Sequence, residues 1–404
     1  MTPAARIAAS IELLAAILAS PSRPADAAAN DYFRSRRFIG SGDRRAISDL
    51  VWRVMRSYRR LNWWLADHAT PRLLVGASLL LSGDRYAAIA DAFSGARFAP
   101  AALARAEQAA LRRLEGRGLD HPSMPAAVRL EVSDWLLPRI DAAELRALLE
   151  PAPLDLRVNL LKASREEASL ALAAEGLEVT PTPHSPWGLR IAGRRQVTTG
   201  QAFRNGLVEI QDEGSQVVAA LVDARPGMRV VDLCAGAGGK TLALAMTMQN
   251  RGQLVACDVS AARLEGAVRR LRRAGVHNVE RHLLTTGDKW LKRRTGTFDR
   301  VLVDAPCTGT GTWRRNPDAR LWLTEADVAE LLPKQAEILD QAAPLVRAGG
   351  QLVYATCSLL REENEDQVIG FLARHPEFTA NKPLVLTPAR HATDGFFATV
   401  LTRR

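Results

Sequence analysis

Two short runs constrain this chain most: Val303-Asp304-Ala305-Pro306-Cys307-Thr308-Gly309-Thr310-Gly311 and Tyr354-Ala355-Thr356-Cys357-Ser358. Each follows a brief apolar segment, 298–303 and 351–354, and then breaks into small residues. That is how a buried parallel strand reads where it gives way to a loop. Both cysteines therefore fall just outside the carboxyl ends of strands, where open α/β sheets hold their ligands. Two thiols so placed, one preceded by Asp-Ala-Pro, point to covalent chemistry on an electrophilic ring.

The surrounding pattern agrees. From residue 206 onward, strands at 229–233, 254–257, 279–284, 298–303 and 351–354 alternate with helices at 239–248 and 261–273. This spacing predicts a doubly wound, mostly parallel sheet of Rossmann-like type, with a late strand at 395–401 antiparallel to the rest. The first strand leads into Val231-Asp232-Leu233-Cys234-Ala235-Gly236-Ala237-Gly238-Gly239-Lys240-Thr241. Such small residues let backbone amides approach a ligand at a helix N-terminus. Gly-Lys-Thr suggests a phosphate-binding P-loop, but Cys234 stands where that motif requires its first glycine. A nucleotide without charged phosphates fits better. Asp258 closes the second strand, where an acid can accept hydrogen bonds from both ribose hydroxyls. Dehydrogenases and S-adenosylmethionine enzymes share those two features, and the cysteine runs decide for the latter.

Residues 1–140 read as an all-helical domain, with Ala, Leu and Arg in helix-length runs punctuated by Gly/Pro/Ser/Asp clusters. The apolar run 7–19 is broken by Glu12 and follows helical spacing, so an amphipathic first helix is expected rather than a signal peptide. One helix over 44–65 would place Leu50, Val54, Tyr58 and Leu61 on an apolar stripe and Arg53, Arg56 and Arg60 together, with Arg59 adjacent. With no acids nearby, that basic face is either solvated or an RNA contact. Trp52, Tyr58, Trp63 and Trp64 are expected in the core. Pro138, Pro151 and Pro153 mark a boundary. Beyond it a small α+β subdomain is expected over 154–205, with a helix capped by Ser164, and the third domain spans 206–404.

The net charge of +10 favours a polyanionic partner, nucleic acid first. Residues 1–140 carry 20 Arg, no Lys and 13 acids, so most of the surplus lies there. The four cysteines show no Cys-x-x-Cys spacing, which argues against a zinc site. So few thiols in a long chain fit a reducing, cytoplasmic compartment. No apolar run reaches the length of a membrane span. A monomer is expected.

The runs 232–241 and 304–311, with Arg314-Arg315-Asn316-Pro317-Asp318 and Thr356-Cys357-Ser358, resemble the Sun (Nop/Sun) family of RNA cytosine-C5 methyltransferases. The N-terminal run 43–56 and the order of helices resemble the NusB-like RNA-binding domain. Together they point to the bacterial branch of the family that acts on 16S ribosomal RNA. The resemblance implies S-adenosylmethionine as cofactor, with Cys357 as nucleophile and Cys307 as the second thiol that helps release product. It implies that Asp304 binds the base and that Lys240 holds that carboxylate or raises the local potential. Cys234, Ala235, Gly236, Ala237, Gly238, Gly239, Lys240, Asp258, Asp288 and Asp304 would line the cofactor site, with Asp288 on the adenine side and Cys234 contributing its backbone. Cys257 reads as a buried apolar residue. One departure is visible: the family's loop has proline before its glycine pair, where this chain has Ala237. Three other readings stay open: a tRNA substrate, an RNA-binding assembly factor without activity, and a DNA-modifying enzyme that uses Cys307.

Overall fold

A computed structural model of the chain describes all 404 residues except 67, 68 and 194. The chain divides into two compact units. One comprises Met1–Glu150 with Trp313–Leu323; the other comprises Pro151–Thr312 with Thr324–Arg404.

Among the described residues of the first unit, every regular element is a helix. Its opening helix, Pro3–Leu18, starts with proline at a position that needs no N–H, and the Thr2 hydroxyl accepts from the Ala5 amide. The helix buries Ala9, Leu13, Leu14 and Ile17. The expected single helix over 44–65 is instead two, Ser41–Arg56 and Tyr58–Trp64, broken at Ser57. The second helix begins where a carboxylate distant in sequence is available. Glu131, fully buried, accepts from the Arg59 amide at 2.8 Å and the Arg60 amide at 3.1 Å. It thereby satisfies two amides that a helix N-terminus leaves open.

The same carboxylate overturns the basic-face reading. Arg60 Nε donates to Glu131 at 2.9 Å and Arg60 Nη1 to Asp120 at 2.9 Å. Arg56 is buried, Arg59 donates to Ser133, and of the four arginines Arg53 alone is exposed. The acids that pair this face come from 60 to 72 residues away in sequence, so a window on the helix did not show them. The aromatic cluster is largely core as expected: Trp52, Tyr58 and Trp64 pack on it, and the Trp64 indole donates to the Leu119 carbonyl. Removing Glu131 takes the buried one of two carboxylates from the Arg60 guanidinium and leaves two helix amides without an acceptor. Glu131→Ala is therefore expected to destabilise this unit by about 3–5 kcal/mol, read from chemical denaturation, with Arg53→Ala near neutral. Equal effects would contradict this account.

The segment Trp313–Leu323 completes the helical unit. Trp313 is fully buried, Leu321 packs against the helical core, and Asp318 accepts from the Ala25 amide at 2.9 Å, at the start of helix Ala25–Ser35. Arg320 is also buried and donates to the Arg56 carbonyl. Burial lowers its guanidinium to about 10, against the opposing charge of Glu131.

The second unit holds two sheets. Strands β1 (Leu154–Val158), β2 (Val179–Pro181), β3 (Gly188–Ile191) and β4 (Val208–Ile210) form a small antiparallel sheet in the order β2-β3-β1-β4. Helix Arg165–Ala174, with the expected Ser164 cap, packs on it through Ala168 and Leu172. This sheet takes in β4, beyond the boundary at 205 read from the sequence.

The larger sheet contains β5 (Arg229–Asp232), β6 (Gln253–Asp258), β7 (Val279–Leu283), β8 (Phe298–Asp304), β9 (Val346–Thr356), β10 (Phe378–Ala380), β11 (Leu384–Leu386) and β12 (Phe396–Arg403). Their order is β10-β12-β9-β8-β5-β6-β7, with β11 also paired to β12. Strands β5 to β9 run parallel, and β12 lies antiparallel to β9 as expected. Apolar residues of β5, β8 and β9 are buried on both faces, which explains their continuous Val/Leu runs. Strand order reverses between β5 and β8, and such a switch point is where open α/β sheets form a ligand crevice, outside the carboxyl ends of the strands.

Candidate active site

Four elements deliver side chains to those carboxyl ends. β5 ends at Asp232, β6 at Asp258, β8 at Asp304, and β9 at Thr356, one residue before Cys357. Between β5 and helix Gly239–Thr247 the backbone turns through Gly236 and Gly238, with φ of +55° and +79°. A side chain at Gly238 would be strained by that φ and would also lie 3.1 Å from the Ala267 Cβ. Asp258 fastens the turn: one oxygen accepts from the Gly236 amide and the other from the Ser260 amide, both at 2.8 Å. Each carboxylate oxygen keeps a further lone pair.

Arg157 of β1 buttresses the loop from the small sheet. It is buried, donates to the Gly239 carbonyl at 2.8 Å, and also bonds Gln211. Burial lowers its guanidinium to about 10. Asp288 is placed differently. Its carboxylate bonds His282 Nε2 at 2.6 Å and accepts from the Trp290 amide at 2.8 Å, at the start of a short helix. Cys257 is fully buried. Burial and neighbouring carboxylates push the Cys234 thiol far up, so it stays protonated.

Sequence reasoning did not assign Asp232 a role. It is buried; one oxygen accepts from the Thr241 hydroxyl at 2.7 Å, and the other has no partner. An unpartnered buried carboxylate oxygen beside an amide-rich turn suits the ammonium group of an amino-acid-bearing nucleotide. Burial raises its carboxyl to about 7, the Thr241 bond opposing and the Asp304 charge adding. The protonated form is favoured by folding, so this contribution is full below the ordinary carboxyl range and is lost as pH rises through about 7. Asp232→Asn cannot ionise. It should gain a few kcal/mol relative to wild type between about pH 4 and pH 8 in urea unfolding; parallel stability curves would contradict this.

The two cysteine runs meet. Cys307 and Cys357 lie with their sulfurs 3.5 Å apart, because β8 and β9 pair in parallel with Asp304 opposite Ala355. The loops are stitched by backbone: the Gly311 amide donates to the Cys357 carbonyl and the Gly395 amide to the Gly311 carbonyl, both at 2.9 Å. Glycine is required at 311, where a Cβ would sit 2.4 Å from the Gly395 oxygen. Beside the thiols, Lys240 Nζ donates to Asp304 Oδ2 at 2.7 Å. The hydrogen bond with Cys357 pushes the Cys307 thiol well up, as does burial, so Cys307 holds its proton at neutral pH. Among the described residues, no group of three His, Cys, Asp or Glu could hold a metal ion, and no helix is long and apolar enough to cross a membrane.

The glycine turn at the switch point, the acids closing β5 and β6 and the two thiol loops beside them together mark a Rossmann-like domain of methyltransferase type, in a chain that also holds a second sheet and a helical unit. Comparison with known proteins is specific. Residues 219–402 match the 16S rRNA methyltransferase RsmB/F family, and residues 138–198 match the ferredoxin-like domain of RsmF/B-like methyltransferases. A ribosomal RNA small subunit methyltransferase B from Photorhabdus laumondii is 35% identical over 290 residues, covering 67% of this chain and 66% of that one. A probable enzyme of the same name from Synechocystis is 32% identical over 404 residues, covering 88% of this chain and 90% of that one. The crystal structure of PH0851 superposes with a TM-score of 0.83 at 28% identity, covering 99% of both chains. The chain belongs to the RsmB/F family of small-subunit ribosomal RNA methyltransferases.

Proposed function

We propose that this protein methylates C5 of a cytosine in 16S ribosomal RNA, in the cytoplasm, through a covalent adduct at Cys357. The observation that carries the reading is the pair of thiols 3.5 Å apart beside the Lys240–Asp304 ion pair. S-adenosylmethionine supplies the electrophilic methyl carbon. Asp232, Asp258 and the amides of 234–239 would hold it, with Asp288 on the adenine side.

Cytosine C5 is a poor nucleophile until a thiolate adds at C6 and turns the ring into an enamine. Cys357, as thiolate, adds to C6, and the electron pair of the 5,6 double bond becomes available at C5. C5 would then accept the methyl group that the bound cofactor supplies, the bonding pair staying with the cofactor's sulfur. C5 then gives up its proton to a base, the double bond re-forms, and Cys357 leaves as thiolate. Asp304, oriented by Lys240, would hydrogen-bond the base near N3 and its amino group and so favour the adduct. Cys307, protonated beside Cys357, would assist departure of the product. The target base must leave its stack to reach the crevice, which favours a loop or bulge. The helical unit, read as NusB-like, would add RNA contacts, but not through the buried arginines around Glu131.

The test is label transfer from methyl-labelled S-adenosylmethionine to total RNA from cells lacking the protein. The expected label is 5-methylcytidine in 16S RNA. Label in tRNA would keep the chemistry and replace the substrate. RNA binding without label would favour an assembly factor.

A further inference from the structure

Glu363 is fully buried, and nothing in the chemistry above uses it. It lies in the turn Arg361–Glu363, yet its carboxylate touches both thiol loops. One oxygen accepts from the Thr308 amide and from Gln335 Nε2, both at 2.9 Å. The other accepts from the Thr308 hydroxyl at 2.5 Å and from the Ser358 hydroxyl. Thr308 directly follows Cys307, and Ser358 directly follows Cys357. Gln335, on helix Glu325–Ala342, also donates to the Pro306 carbonyl at 2.9 Å, just before Cys307. On the other side, the Tyr354 hydroxyl of β9 donates to the Glu363 carbonyl at 2.6 Å.

We infer that Glu363 is a positioning residue that sets the separation of the two thiols by holding the residue after each cysteine on one carboxylate. A carboxylate suits the task because it accepts without donating, and four donors converge on it. Removing it leaves the Thr308 amide without an acceptor, leaves Gln335 only the Pro306 carbonyl, and loosens the loops that follow β8 and β9. Glutamine keeps the length and one carbonyl oxygen, and both hydroxyls can rotate to accept from its amide. Displacing a reacting group by about 1 Å costs about 10²-fold in rate.

The inference rests on the thiol roles proposed above, but its first readout does not need RNA. Mild oxidation with a diazenedicarboxamide joins the Cys307 and Cys357 sulfurs as each thiol loses its hydrogen to the reagent, and peptide mass analysis follows the cross-link. In Glu363→Ala, cross-linking should slow at least about tenfold and single-turnover methyl transfer should fall about 10²-fold, with cofactor affinity and KM for RNA unchanged. Glu363→Gln should recover part of both. If Glu363→Ala fails to fold, Glu363→Gln and Thr308→Val carry the test, each showing a smaller loss of cross-linking. Cross-linking and transfer at wild-type rates in the folded variants would overturn the inference. Normal cross-linking behaviour in a wild-type protein that transfers no methyl group would instead sink the proposed function alone.

Discussion

Cys357→Ala is expected to lower methyl transfer by about four to six orders of magnitude, the scale on which loss of a covalent nucleophile is felt. On the chemistry proposed above, C5 without the thiolate would have no route to sufficient nucleophilicity, and Asp304 would only orient an unreactive ring. Cys307→Ala should behave differently. Cys357 can still add and C5 can still be methylated, but departure of the product slows, so RNA-linked protein accumulates. The contrast follows from the site: the two sulfurs are 3.5 Å apart, and Cys307 is the member whose proton is held by its partner and by burial. Single-turnover transfer and denaturing gels read both effects. Equal losses without adduct in either variant would contradict the assignment.

Lys240→Met should be the next most damaging change. Lys240 is buried and Asp304 partly so, with side-chain exposures of 9% and 30%. Breaking a buried pair costs about 3–5 kcal/mol, and the exposure of Asp304 brings this nearer 2–3 kcal/mol. Expressed on the bound base, that is a loss of about 10²-fold in kcat/KM. Burial acts to lower the Lys240 ammonium, but the Asp304 charge and hydrogen bond outweigh it, and the net shift is upward. Its contribution is therefore complete below the ordinary lysine range and is lost only as pH rises beyond it. The difference between wild type and Lys240→Met should thus be constant across the neutral range. A difference that vanished between about pH 6 and pH 9 would contradict an ion pair with this shift.

The α/β unit was legible because its information is local. Val230-Val231, Leu254-Val255 and Val301-Leu302-Val303 are apolar runs closed by acids or small residues, and the glycine turn lies within a single stretch. Distances across the site were not local. Asp232 stood in the quoted motif, but its interest lies in one unpartnered oxygen, which only burial reveals. Glu363 acts on Thr308 from 55 residues away, and no spacing rule connects them. The helix over 44–65 contains no glycine or proline, so the break at Ser57 had no local signal; it follows from the Glu131 carboxylate. The path of Trp313–Leu323 into the helical unit was equally invisible, since Arg314–Asp318 reads in sequence with the other runs that carry the family resemblance.

The most direct test is to map the adduct. A 16S RNA fragment carrying 5-fluorocytidine offers no proton to lose at C5, so elimination stops and the protein stays bonded to the base. Digestion and mass analysis then identify the cysteine. RNA is expected on the peptide containing Cys357 and none on that containing Cys307. Attachment at Cys307 would contradict this expectation and favour the DNA-type assignment of the nucleophile.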